Sequence, residues 1–201
     1  TSNLKPRIFF HTDAVQAAEY LPMNVDYLHV DLLTISGHKI GAPKGIGALY
    51  IKKGTPIKPI IYGGEQELGK RAGTENVAGI VALGKTCEIL NLPKINPKNV
   101  EQLRDYFIRK VLKEIPETKL NGSAKLRAPH NANIYFKFIE GESIVIAMDL
   151  KGVACSTGSA CTSQSLEPSH VIMAVYNDSM RAAGSVRFSL GEKTTKKELN
   201  Y

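Results

Sequence analysis

Four short stretches carry residues whose types and spacing could do chemistry. In SGHK, Ser36 to Lys39, an amine ends an apolar run and stands beside an imidazole. A lysine becomes a nucleophile toward carbonyls, and forms a Schiff base, when partial burial or nearby cations favour its neutral form. Ser36 and His38 could donate hydrogen bonds to a phosphate, and the glycine between them lets the backbone come close. In HTDAVQ, the Asp13 carboxylate could accept a hydrogen bond from a protonated ring nitrogen, with Gln16 in reach of a neighbouring ring oxygen.

The other two lie further along. CSTGSACTSQS, Cys155 to Ser165, holds two cysteines in a run of glycine, serine and other small residues. Such a composition gives a thiol freedom to travel between a substrate and a second protein. SVRFSLG places Arg187 in a strand-like stretch, where its fork matches a carboxylate with two parallel hydrogen bonds. Taken singly, each residue has a plainer use. Lys39 could be a surface lysine, Asp13 a helix N-cap, Arg187 half of a structural ion pair, and Cys155 and Cys87 packed, inert thiols. The cysteine spacing is not that of the usual zinc ligand pairs. GAPKGIG and GGEQELG match neither the Walker A nor the dinucleotide spacing; the first reads as a tight turn into a strand.

The elements that must position these residues are short. RIFF (7–10), DLLTI (31–35) and GIGALYIK (45–52) read as strands, with a helical turn over 14–20 between the first two. This alternation suggests an α/β sheet covered on both faces. A helix is expected from Thr74 or Glu75 to about Leu90, with Thr74 and Asn76 as candidate caps. After the break NLPKINPKN come a helix over 100–115, strands over 119–121 and 133–138, a helix from Glu142 to about Leu150, and strands over 153–156 and 185–190. That mixture suggests a smaller α+β domain. The expected division is 1–80 and 81–201.

The bulk properties set limits. The chain has 201 residues, 43% of them apolar, as a packed core requires. Its three cysteines are an odd number in a chain long for a disulfide scaffold, so they read as reduced. The net charge of +7 is spread among acidic residues, which favours a solvated surface or an anionic cofactor over nucleic acid. No window approaches the roughly 18 to 20 apolar residues of a membrane span, and TSNLKPR has no signal core. A cytoplasmic location is the expectation.

The order of these signals is more specific than any one of them. HTDAVQ, SGHKIGAPKGIGALY, GGEQELGKRAGTEN, STGSACTSQSLEPS and VRFSLG together resemble the pyridoxal-phosphate-dependent cysteine desulfurases of the NifS/IscS type, within the class-V aminotransferases. The resemblance implies a fold-type I enzyme, α/β in class. Residues 1–80 would form the C-terminal part of the large cofactor domain, and 81–201 a small domain carrying the active-site cysteine loop. Only the C-terminal half of such an enzyme is covered, since family members are about twice as long. A fragment, or one part of a split enzyme that holds cofactor weakly on its own, is expected.

The same resemblance implies roles. Lys39 would carry pyridoxal 5'-phosphate as a Schiff base, Asp13 would pair with the ring nitrogen and Gln16 with the ring hydroxyl. Ser36 and His38 would bind the phosphate, and Thr74 would reach the phosphate of a partner subunit in a homodimer. Arg187 would bind the carboxylate of L-cysteine. Cys161 would take its sulfur as a persulfide, releasing L-alanine, and pass it to an iron-sulfur scaffold or another acceptor protein. A selenocysteine lyase, an aminotransferase, or a non-catalytic docking or dimerisation remnant are the alternatives. Transamination needs no thiol, so Cys161 separates the first reading from it.

Overall fold

The structure is a computed structural model that describes residues 7–90, 97–158 and 168–201. The chain divides into two compact units, Thr1–Ile95 and Asn96–Tyr201. This division falls later than the expected boundary near residue 80. The reason is the helix that follows the glycine-rich loop: its Leu83 is buried with Ile40 and Ala42, and Cys87 and Leu90 pack beside them.

The first unit contains β1 (His11–Asp13), α1 (Val25–Leu28), β2 (Leu32–Ser36), β3 (Gly47–Ile51) and α2 (Val77–Leu90). The strands lie in the order β1-β2-β3, with β1 parallel to β2 and β3 antiparallel to it. Residues 7–10 are not a strand, although their apolar character suggested one. They are tied instead to Asp31, whose carboxylate accepts from the Arg7 guanidinium at 2.9 Å and from the Phe10 N–H at 3.0 Å. Those hydrogen bonds hold the Asp31 carboxyl below its usual range, with the Phe10 N–H the largest cause and Arg7 a further one. Ala14 to Leu21 forms the expected helical turns, closed by bonds such as Ala18 N–H to Ala14 C=O at 3.0 Å. The four-residue α1, capped by Asn24, was not anticipated, being too short for a periodic signal.

Alternation along the strands separates two faces of this sheet. Leu33, buried with Ala14 and Val30, packs against Met23, Val25, Leu28, Ile35 and Tyr50. The opposite face carries His11, Asp13 and Leu49, all exposed, together with Thr34 and Ser36. Among the described residues, then, the sheet is covered on one face, not on two.

The second unit contains α3 (Pro97–Glu114), β4 (Thr118–Leu120), β5 (Asn131–Phe136), α4 (Gly141–Asp149), α5 (His170–Tyr176), α6 (Ser179–Ala183) and β6 (Ser185–Ser189). Its strands form an antiparallel sheet in the order β4-β5-β6. One face builds the core: Ala132, Ile134, Phe136, Val186 and Phe188 meet Ile108 of α3, with Ile144, Val145 and Met148 of α4 packed against them. Phe188 meets Phe107 and Phe136 edge-on, at centroid distances of 5.0 and 6.4 Å. The other face is polar. Asn121 donates to Asn133 at 2.6 Å and to Ser185 at 2.8 Å, and receives from Arg181 at 2.7 Å.

Arg104, on the inner stripe of α3 with Val100 and Ile108, is 1% exposed. It pairs with Asp105 at 2.7 Å and donates to the Ala128 carbonyl at 3.0 Å, so the charge is buried fully partnered. The expected strand over 153–156 is a single bridge, Ser156 to Arg187. The helices α5 and α6, capped by Ser169 and Asp178, were not anticipated.

Candidate active site

The chemistry-bearing residues of the first unit gather at the carboxyl ends of two parallel strands. Asp13 ends β1 and pairs in register with Thr34, two residues before Ser36 ends β2. The chain then makes a single 3-10 turn, Gly37–Lys39, which presents His38 and Lys39 at the surface. Gly37 has a steric reason to be glycine: a Cβ there would lie 2.8 Å from Ile46 Cγ2 and 3.0 Å from the Ile46 carbonyl. The Gly37 N–H also donates to that carbonyl at 2.8 Å, so the turn is clamped against the entrance to β3. GAPKGIG turns as expected, with Gly41 and Gly45 at φ of 93° and 83°.

The partners of each group show what remains free. Asp13 Oδ1 accepts from the Val15 N–H at 2.9 Å, and among the described residues no group donates to Oδ2. Ser36 Oγ and His38 Nδ1 are 2.8 Å apart, a hydrogen-bonded pair in which one donates and the other accepts. Lys39 makes no ion pair among the described residues. Gln16 lies exposed in the turn after Asp13. Thr74 is exposed just before α2, and the cap of that helix is Asn76, which accepts from the Gly79 N–H at 3.0 Å. The loop before it is closed by Gln66, which accepts from the Gly73 N–H at 3.1 Å, and carries Glu67 and Leu68 in the left-handed region.

This donor set fits pyridoxal 5'-phosphate. It offers a carboxylate oxygen for a ring N–H, a hydroxyl and an imidazole for a phosphate, and an amine for an aldehyde.

Arg187 belongs to the second unit, on the polar face of β6 and half-buried. It stands opposite Asn133 of β5 on one side, and on the other its N–H and C=O form hydrogen bonds of 2.6 and 3.1 Å with Ser156. The segment that leads toward Cys161 is therefore fastened at Ser156 to the strand that carries Arg187. Cys161 itself lies outside the described residues. Cys155 packs against the core of the second unit beside Val145 and Met148, and burial, reinforced by Asp149, pushes its thiol up. His130, at the entrance to β5, is pushed down by burial and then by the charges of Arg187 and Arg104.

Two residues on the sheet face went unassigned in the sequence. His11 Nε2 and Thr34 Oγ1 are 2.8 Å apart, on the face that bears Asp13 and Ser36. The signal was the period of two, which sets His11 and Asp13 side by side in HTD.

Known proteins resemble this chain in sequence and fold. The family model "Aminotransferase class-V" matches residues 3–201. A cysteine desulfurase IscS from Dictyoglomus turgidum is 57% identical over 96% of this chain and 50% of its own length. Among solved structures, a NifS-like protein from Rickettsia africae superposes with a TM-score of 0.83 at 30% identity, over 96% of this chain and 51% of its own. A structure described as SspA in complex with cysteine gives a TM-score of 0.71 at 34% identity, covering 94% and 52%. The chain thus spans about half the length of the relatives it matches.

Proposed function

We infer the function from one premise: this chain belongs to the class-V aminotransferase family. Within it, the chain supplies the lysine-bearing and cysteine-bearing half of a cysteine desulfurase, which converts L-cysteine to L-alanine. The reaction is that of a protein of the relatives' length, acting as a homodimer in the cytoplasm and passing sulfur to an acceptor for iron-sulfur cluster assembly. The observation that carries this reading is the convergence of Asp13, the Ser36–His38 pair and Lys39 at the carboxyl ends of β1 and β2. Ligands of open α/β sheets bind at that end of the strands.

Pyridoxal 5'-phosphate, when bound, supplies an aldehyde and a ring that accepts electrons. Lys39 would hold it, and its amine would then be placed to move the α-proton of the substrate. Asp13 would pair with the ring nitrogen and keep it protonated, and Gln16 would reach the ring hydroxyl. Ser36 and His38 exchange their mutual hydrogen bond for the phosphate, and Thr74 reaches the phosphate held by a partner copy. Arg187 binds the substrate carboxylate. The Cys161 thiolate attacks the substrate sulfur, whose bond to carbon breaks, so that Cys161 carries a persulfide and alanine leaves. Cysteine as the substrate is supported by the solved complex of SspA with cysteine.

The test is covalent and registers weak binding. Incubation with pyridoxal 5'-phosphate and reduction with borohydride is expected to label the peptide that contains Lys39, and Lys39→Ala is expected to lose that label. In a separate, unreduced sample of the protein at its relatives' length, treatment with L-cysteine should add about one sulfur to the peptide that contains Cys161. Labelling spread evenly over surface lysines would overturn the reading.

A further inference from the structure

The exposed face of the first sheet holds one polar contact that the proposed chemistry leaves unused. His11 Nε2 meets Thr34 Oγ1 at 2.8 Å. His11 pairs in register with Leu32, whereas Thr34 pairs with Asp13, two residues along. The imidazole therefore leans along β1 to the level of the carboxylate, across the Thr34 hydroxyl. Side chains two apart on a strand, and those opposite in register, share a face. His11, Thr34 and Asp13 accordingly form one polar cluster on the strand ends.

Two features show that this contact does more than satisfy polar groups. His11 is exposed and could be solvated by water, so nothing in burial requires it to seek a hydroxyl. Asp13, in turn, is fixed by a single bond, from the Val15 N–H to Oδ1. A carboxylate held at one oxygen can still swing about χ1 and χ2, and Oδ2 then loses a fixed position. An imidazole on the same face, pinned by its own hydrogen bond to Thr34, would limit that freedom.

We propose that the hydrogen-bonded His11–Thr34 pair is a positioning device for Asp13, holding Oδ2 ready for the N–H of a protonated nitrogen heterocycle. This deepens the reading of the site as one for pyridoxal 5'-phosphate and rests on it. His11 and Thr34 need touch neither the cofactor nor the substrate; they act through Asp13. The ligand property they select is the ring nitrogen, not the phosphate or the aldehyde.

The experiment compares two ligands by equilibrium dialysis against the full chain: pyridoxal 5'-phosphate and its analogue with C–H in place of the ring nitrogen. The unaltered chain is expected to prefer the cofactor, and Asp13→Ala to abolish the preference. His11→Ala and Thr34→Val should each lower the preference about three- to tenfold, the worth of one hydrogen bond, by weakening the cofactor alone. Combined, they should lose no more than either one alone, because they break the same contact. His11→Gln, which retains a side-chain N–H, is expected to restore most of the preference. Equal weakening of both ligands in His11→Ala and Thr34→Val, or an undiminished preference, would overturn the positioning role while leaving the site intact. No preference in the unaltered chain would overturn the reading of the site itself.

Discussion

The two units of this chain solve the problem of burial differently. In the second, one sheet face is sealed by α3 and α4, and Ala132, Ile134 and Val186 are each 0% exposed. In the first, the described buried residues include smaller groups around Leu33 and around Leu83. Apolar side chains remain on its surface, among them Ile60 at 92% and Leu68 at 90% exposed. Its helix α2 also leaves Val77 and Val81 exposed, opposite the buried Leu83. A helix apolar on more than one side is characteristic of an interior or an interface. The second unit thus carries its own stability, while the first offers chemistry on an open sheet face and a thin core beneath it.

Core substitutions give the largest effect that sharpens this contrast. Ile134→Ala removes a fully buried side chain from the middle of β5 and is expected to lower the stability of the second unit by about 3–5 kcal/mol. Leu33→Ala, in the smaller cluster of the first unit, is expected to cost about 2–3 kcal/mol, near the low end for such truncations, because fewer neighbours surround the cavity. Chemical denaturation followed by hydrogen exchange resolves the two units. Equal losses, or a larger loss for Leu33→Ala, would break the comparison.

The same contrast governs how much could be read from the sequence. The strands of the first unit were legible because DLLTI and GIGALYIK are mainly apolar runs between turn residues, whereas the roles of the site residues came from the family resemblance. RIFF misled for a physical reason: its backbone is engaged by Asp31, a long-range contact to which local composition is blind. The helix over 97–114 was legible from its periodicity, yet nothing local marked Arg104 as its most buried charge. Its partners at Asp105 and Ala128 are fixed only when α3 meets the chain before β5. The caps Ser169 and Asp178 were readable in principle, but helices of seven and five residues give no periodic stripe to anchor them. On the site, the pair Ser36–His38 was visible as spacing, whereas His11–Thr34 required knowing that β1 lies beside β2 in parallel.

A smaller effect should separate the units by pH. His130 of the second unit is held below its ordinary value by burial, then by Arg187 and Arg104. In the unfolded chain the imidazole takes up its proton near the usual pKa of about 6.5. Below that pH the unfolded state binds more protons than the folded one, so stability is full above it and falls as acid approaches the lower folded value. The second unit is therefore expected to lose stability as pH drops from about 7 toward 5, and His130→Gln to flatten that dependence. A slope unchanged by His130→Gln would place the acid sensitivity on other groups.

The smallest perturbation concerns reactivity and bears on the division of labour between two cysteines. Cys155 packs against the core of the second unit and lines a cleft with Val145 and Asp149, and burial together with Asp149 raises its thiol, which disfavours the thiolate that any sulfur relay needs. With Cys161→Ser in place to remove the other candidate, alkylation of Cys155 by iodoacetamide at pH 8 is expected to run several-fold slower than that of a free thiol. The rate should rise with pH across the ordinary thiol range and beyond, and Asp149→Asn should speed it modestly by removing the nearby negative charge. Cys155→Ala should leave sulfur loading of Cys161 unchanged, since Cys155 would then serve only as packing for the strand pairing at Ser156. Rapid alkylation of Cys155, or loss of loading in Cys155→Ala, would instead make it a second participant in sulfur transfer. The packed core of the second unit would then share in the sulfur transfer otherwise assigned to Cys161.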